Sequence, residues 1–79
     1  MSREEVLEKA QTVFREVFDD ENLIIGDNTV ASDIEDWDSL NHISLIASLE
    51  EAFNIRFSTS EVLSFKNVGN MIDKICEKL

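Results

Sequence analysis

A chain of 79 residues can build one domain around a single small core, because domains of this size bury only about 60% of their unfolded surface. Its 43% apolar content is enough for a packed core and too high for a disordered tail. Seventeen acidic residues against seven basic ones give a formal charge of −10, which argues against nucleic acid and anionic membranes and suits partners with basic patches.

The chain opens on Met1-Ser2-Arg3-Glu4-Glu5, charged and without the apolar segment a signal peptide needs, so a cytoplasmic protein is expected. There is no proline, and the only glycines are Gly26 and Gly69, which makes helix the expected element. From Arg3 to Phe18, apolar residues fall at Val6, Leu7, Ala10, Val13, Phe14, Val17 and Phe18, the stripe of an amphipathic helix. Ser2 reads as its N-cap, with Glu5 completing a capping box.

Residues 19 to 38 hold no sustained period. Asp19-Asp20-Glu21-Asn22 and Gly26-Asp27-Asn28 are turn chemistry, while Leu23, Ile24, Ile25, Val30 and Ile34 read as apolar pins that lay a long loop across the helices. Loops of this length inside a small domain tend to be functional. A second helix is expected from Asp38 or Ser39 to about Phe53. Another capping box, Ser58-Thr59-Ser60-Glu61, signals a short helix that takes in Val62 and Leu63. The last helix begins after Asn67 and places Val68, Met71, Ile72, Ile75 and Leu79 on one face, with Lys74 and Lys78 near its negative end. The expectation is an all-α fold, a small four-helix bundle of three main helices and one short one, with residues 1–79 forming one domain.

The second helix is two-sided. At about 100° per residue, Leu45, Ile46, Leu49, Ala52 and Phe53 gather on one side, while Leu40, Ile43 and Ala47 lie roughly opposite, flanked by Ser44, Glu50 and Glu51. The second group cannot reach the same core and forms a small apolar patch ringed by acids, the composition of a docking surface or of ordinary exposed apolar area. Asp38 suits the N-cap, which puts Ser39 in the first turn, near the positive end of the helix dipole. A phosphodiester on that hydroxyl would gain from the dipole and the unpaired N–H groups. By spacing alone Ser39 is an unremarked first-turn serine.

The stretch Asp36-Trp37-Asp38-Ser39-Leu40-Asn41-His42-Ile43, preceded by an acidic loop and followed by Leu45, Glu50-Glu51 and Phe53-Asn54-Ile55, resembles the acyl carrier protein family. The resemblance extends over nearly the whole chain, in length, helix order, charge and the Asn67-Val68 start of the last helix. It implies that Ser39 accepts 4′-phosphopantetheine from coenzyme A through a Mg²⁺-dependent phosphopantetheinyl transferase, and that the arm's thiol holds an acyl group as a thioester. It further implies that Asp38 helps present the serine, and that Leu40, Ile43, Ala47, Glu50 and Glu51, together with Trp37, are read by enzymes of fatty-acid, polyketide or related biosynthesis. The expected protein is a monomeric carrier, not an enzyme, with no metal of its own. An aminoacyl or peptidyl carrier on the same arm, or an acidic helical adaptor that carries nothing, stand as alternatives. The sequence departs from the family pattern where a glycine stands two residues before the Asp-Ser pair, a position occupied by Asp36. An apolar loop residue usual four before the serine is Glu35, with Ile34 one position earlier. These departures point toward a specialised pathway rather than the housekeeping fatty-acid carrier.

Other residues invite chemistry less well. His42, the only histidine, lies three residues from Ser39, yet a solvent-facing first turn offers neither an oxyanion site nor a third group to orient a base. A packed or hydrogen-bonded structural role is expected for it. Trp37 reads as an anchor of the loop or as a ring that shields the arm or meets a partner. Asp36-Trp37-Asp38 could open a calcium loop, but Asn41 stands where glycine is required and Ala47 where the last acid is required. Cys76 has no partner for a disulfide or a metal and reads as half-buried packing.

Overall fold

Ser2 starts the first helix by the reciprocal bonds its sequence announces. Its hydroxyl accepts the Glu5 N–H at 3.2 Å while the Glu5 carboxylate accepts the Ser2 N–H at 2.9 Å. The computed structural model describes all residues from Met1 to Leu79, and helix α1 occupies Arg3–Val17. It is followed by a long loop containing one 3₁₀ turn at Ala31–Asp33, then by α2 (Ser39–Phe53), α3 (Thr59–Ser64) and α4 (Val68–Lys78). The architecture is the expected all-α bundle of three long helices and one short one. No helix is long and apolar enough to cross a membrane.

Each helix buries the face its spacing selects. α1 contributes Val6, Ala10, Val13 and Phe14 to the core, α2 contributes Leu45, Ile46, Leu49 and Phe53, and α4 contributes Val68, Met71, Ile72 and Ile75. Burying a large aliphatic or aromatic side chain is worth about 1.5–3 kcal/mol, so these three faces supply most of the drive to fold. α1 packs against both α2 and α4. α3 buries no residue fully. It is held by its own Ser58–Glu61 capping box and by Lys78, whose ammonium lies 3.0 Å from the Glu61 carboxylate. Leu79, expected on the apolar face of α4, is instead the C-cap residue past the last helical one, and is largely exposed.

The loop is seated rather than free. Arg15 Nε donates to the Leu23 carbonyl at 2.7 Å, and Gln11 Oε1 accepts the Ile25 N–H at 3.0 Å. Ile25 and Ile34 enter the core. Ile24, expected as a further pin, is instead 77% exposed. Gln11 takes the Ile25 N–H and the core receives the Ile25 side chain, which leaves Ile24 facing outward. Farther on, Asp27 and Thr29 present their carbonyls to the N–H groups of Gly69 and Val68 at 3.0 and 2.8 Å. The loop thereby satisfies two donors that the start of α4 would otherwise leave free. Arg3 binds the same corner from outside, with Asp27 at 2.8 Å and Asp73 at 3.0 Å.

Candidate functional site

The last residues of the loop form a turn that delivers Ser39 to the start of α2. Ile34 anchors the turn in the core, and Trp37 N–H donates to its carbonyl at 3.3 Å. Asp36 adopts φ 70°, the left-handed conformation that glycine reaches at no steric cost. A glycine, which the resemblance expects here, would adopt this conformation freely, whereas an aspartate bears a steric cost. The Asp36 carbonyl accepts both the Asp38 N–H at 2.9 Å and the Asn41 Nδ2 at 2.6 Å. The sequence reading gives Asn41 no role at the site; the signal it carries is an amide side chain in the first turn of a helix.

Asp38 is the N-cap. Its carboxylate accepts the Asn41 N–H at 2.8 Å, and its carbonyl accepts the His42 N–H at 2.9 Å. The N–H groups of Ser39 and Leu40 have no partner in the protein, and the Ser39 side chain is exposed with its hydroxyl making no internal hydrogen bond. The remaining serines differ. The hydroxyls of Ser2, Ser58, Ser60 and Ser64 are engaged in hydrogen bonds, Ser32 lies in the 3₁₀ turn, and Ser44 and Ser48 lie in the middle of α2. Ser39 is thus the exposed, unengaged hydroxyl at the positive end of a long helix.

Trp37 is half-buried between the turn and α1. Its ring meets Phe14 edge-on, with centroids 5.5 Å apart at 80°, and lies 5.8 Å from Phe18. Its indole N–H donates to His42 Nδ1 at 3.0 Å. His42 is half-buried, and loss of solvent holds its pKa below the ordinary 6.5. One of its nitrogens is committed to Trp37 and no bond to Ser39 forms, so this is not a nucleophile–base pair.

Along α2 the exposed face carries Leu40 at 73% and Ile43 at 67% exposure, followed by exposed Ala47 and Glu51. Glu50 is only half-exposed, because its carboxylate accepts the Phe57 N–H at 2.8 Å and closes the segment before α3. Ala47, Glu50 and Glu51 share a shallow groove with Arg56, a base within the acidic patch that the helical wheel could not place. A second groove of about 280 Å³ runs between α2 and α3, lined by Ile43, Ile46, Ala47 and Val62. No three His, Cys, Asp or Glu side chains converge as a metal site. Cys76 is half-buried and free.

Comparison with known proteins gives concordant results. Residues 8–75 match the family model described as a phosphopantetheine attachment site. An acyl carrier protein of Guillardia theta is 31% identical over 80 residues, which span 100% of this chain and 98% of the relative. The solution NMR structure of a holo acyl carrier protein from Geobacter metallireducens superposes with a TM-score of 0.87 at 41% identity, covering 92% of this chain and 84% of that one.

Proposed function

Because the chain belongs to the phosphopantetheine-attachment family and is one of its acyl carrier proteins, we propose that Ser39 is the residue that bears the arm. The protein is a carrier, not an enzyme, and its cofactor is a covalently bound phosphopantetheine. The arm supplies the thiol that bears the acyl group, and the chain supplies position and recognition. The observation that carries the assignment is the state of Ser39: exposed, unengaged, and beside two free N–H groups at a helix start. Those donors and the helix dipole favour the negative charge of a phosphodiester on the hydroxyl. Asp38 contributes by capping the helix, which keeps its own carboxylate bonded to Asn41 and the first turn formed.

The docking surface in this proposal is Leu40, Ile43 and Ala47 with Glu51 and Glu50, and Trp37 at its edge. The exposed apolar side chains supply contact area, and the acids select enzymes with basic patches, including the phosphopantetheinyl transferase. The cargo is an acyl group of fatty-acid, polyketide or related biosynthesis, a reading supported by the acyl carrier name of the relatives. The departures at Glu35, Asp36 and Trp37 support a specialised pathway. A monomer in the cytoplasm completes the proposal; the monomeric state is supported by a core whose largest side chains are covered without a partner chain.

The test is intact-mass measurement after incubation with a broad-specificity transferase, coenzyme A and Mg²⁺. Wild type gains the mass of one phosphopantetheine group, and Ser39→Ala gains none. An equal gain in Ser39→Ala would move the attachment to another residue.

A further inference from the structure

Trp37 and His42 are the only tryptophan and the only histidine in the chain, and they are bonded to each other across the attachment residue. The indole comes from two positions before Ser39 and the imidazole from three positions after it. The backbone bond from His42 N–H to the Asp38 carbonyl closes the other side. Ser39 therefore sits inside a short ring of contacts, which the edge-on packing of Trp37 against Phe14 ties to the core. An imidazole that accepts at Nδ1 carries its proton on Nε2, whereas an imidazolium donates at both nitrogens and cannot accept.

We propose that His42 is a positioning residue for attachment at Ser39: the neutral ring holds Trp37 and the turn in the presenting geometry, and protonation releases them. The proposal rests on Ser39 being the attachment point. In that step the Ser39 oxygen bonds the pantetheine-bearing phosphorus of coenzyme A, its proton passes to a base of the transferase, and the bond from that phosphorus to the bridging oxygen breaks, so that the nucleotide half leaves as its bisphosphate. The contribution of the pair is to hold the hydroxyl exposed while this happens.

The surroundings favour the neutral ring. Lys66, in the segment before α4, lines a cavity of about 70 Å³ together with Trp37 and His42. The carboxylates nearby on α2 and its cap are already bonded, Glu50 to Phe57 N–H and Asp38 to Asn41 N–H. α1 meets the pair through the uncharged rings of Phe14 and Phe18. α3 offers Thr59 and Val62, α4 offers Met71, and the 3₁₀ turn offers Ala31. Burial of the ring is what disfavours the imidazolium. Since the folded pKa lies below the unfolded 6.5, the hold is complete above about pH 6.5 and is lost as pH falls through the lowered value.

The experiment follows the single indole N–H resonance of the ¹⁵N-labelled apo protein from about pH 7.5 to about pH 5. Wild type should show one titration step toward a free indole. His42→Gln, whose amide oxygen accepts at any pH, should show none. The initial rate of mass gain with transferase, coenzyme A and Mg²⁺ is then taken as the ratio of wild type to His42→Gln, which cancels the pH dependence of the transferase. That ratio should start near one and fall at least twofold across the indole step. Trp37→Phe, which keeps an aromatic ring but lacks the donor, should be slow throughout and flat in its ratio to His42→Gln. A step that is absent, or equally present in His42→Gln, overturns the proposal, as does a ratio that stays at one while the indole titrates. Absence of mass gain in every variant overturns both this role and the assignment of Ser39; failure of the indole step alone leaves that assignment intact.

Discussion

Replacing Asp36 tests whether backbone geometry shapes the turn before Ser39. At φ 70°, a residue with a β-carbon bears a steric cost of about 1–2 kcal/mol, reduced for aspartate by its short polar side chain. Glycine has no such cost but loses about 0.5–1 kcal/mol more conformational entropy on folding than alanine does. The difference leaves glycine about 0.5–1 kcal/mol more stable than alanine at this position, the reverse of the usual order. In a domain of this size that is a separation of about 2–8 °C in melting temperature. The bonds from the Asp36 carbonyl to Asp38 and Asn41 involve only the backbone at this residue, so they survive every substitution. The carboxylate also borders a groove lined by Asp19, Asp20, Asp33 and Glu35, and Asp36→Asn removes its charge while keeping a residue that tolerates positive φ. Thermal unfolding followed by far-ultraviolet circular dichroism should rank Asp36→Gly above Asp36→Ala at low and high salt. Asp36→Asn should exceed wild type only at low salt, where the carboxylates repel. An alanine variant as stable as the glycine variant would refute the role assigned to the backbone.

Two other outcomes follow from the packing and the caps. A β-carbon at residue 69 would lie 2.8 Å from the Asp27 carbonyl, so Gly69→Ala should force the loop off α4 and cost about 1–3 kcal/mol in urea denaturation; an unchanged midpoint would show that the corner yields freely. The carboxylates of Glu5 and Glu61 are held below 4.5, each chiefly by the N–H of its N-cap serine, with Lys78 adding to the effect at Glu61. Their folded values lie below the unfolded ones, so their stabilisation is present above about pH 4.5 and is lost as pH falls through the lowered values. Carboxyl-carbon NMR titration should place both below 4.5, and Glu61→Gln should lessen the loss of stability on acidification.

The parts of this protein legible in the sequence share a short range. An N-cap side chain bonds an N–H three residues on, so Ser2, Asp38, Ser58 and Asn67 announce the starts of all four helices. Helical periodicity likewise separates Leu45 and Leu49 from Leu40 and Ile43 without knowledge of any neighbour. The same logic fails in the loop, where the choice between Ile24 and Ile25 depends on which one α1 receives through Gln11. Glu50 lies on the edge of the exposed face by its angle, yet its carboxylate is drawn to Phe57 by a chain reversal the wheel does not contain.

At Ser39, local information places the serine in the first turn of α2 behind its Asp38 cap, and the family resemblance is what singles it out for the proposed attachment. The positive φ of Asp36, the bond between Trp37 and His42, and the anchoring of both through Phe14 required the fold. The physical reason is reach. Caps and helical faces are set by residues within one turn of each other, whereas the path of the turn is set by surfaces on α1 and α4 that meet it only after the chain has folded. The sequence by itself determined which residue stands at the start of α2; tertiary packing decided how that residue is held.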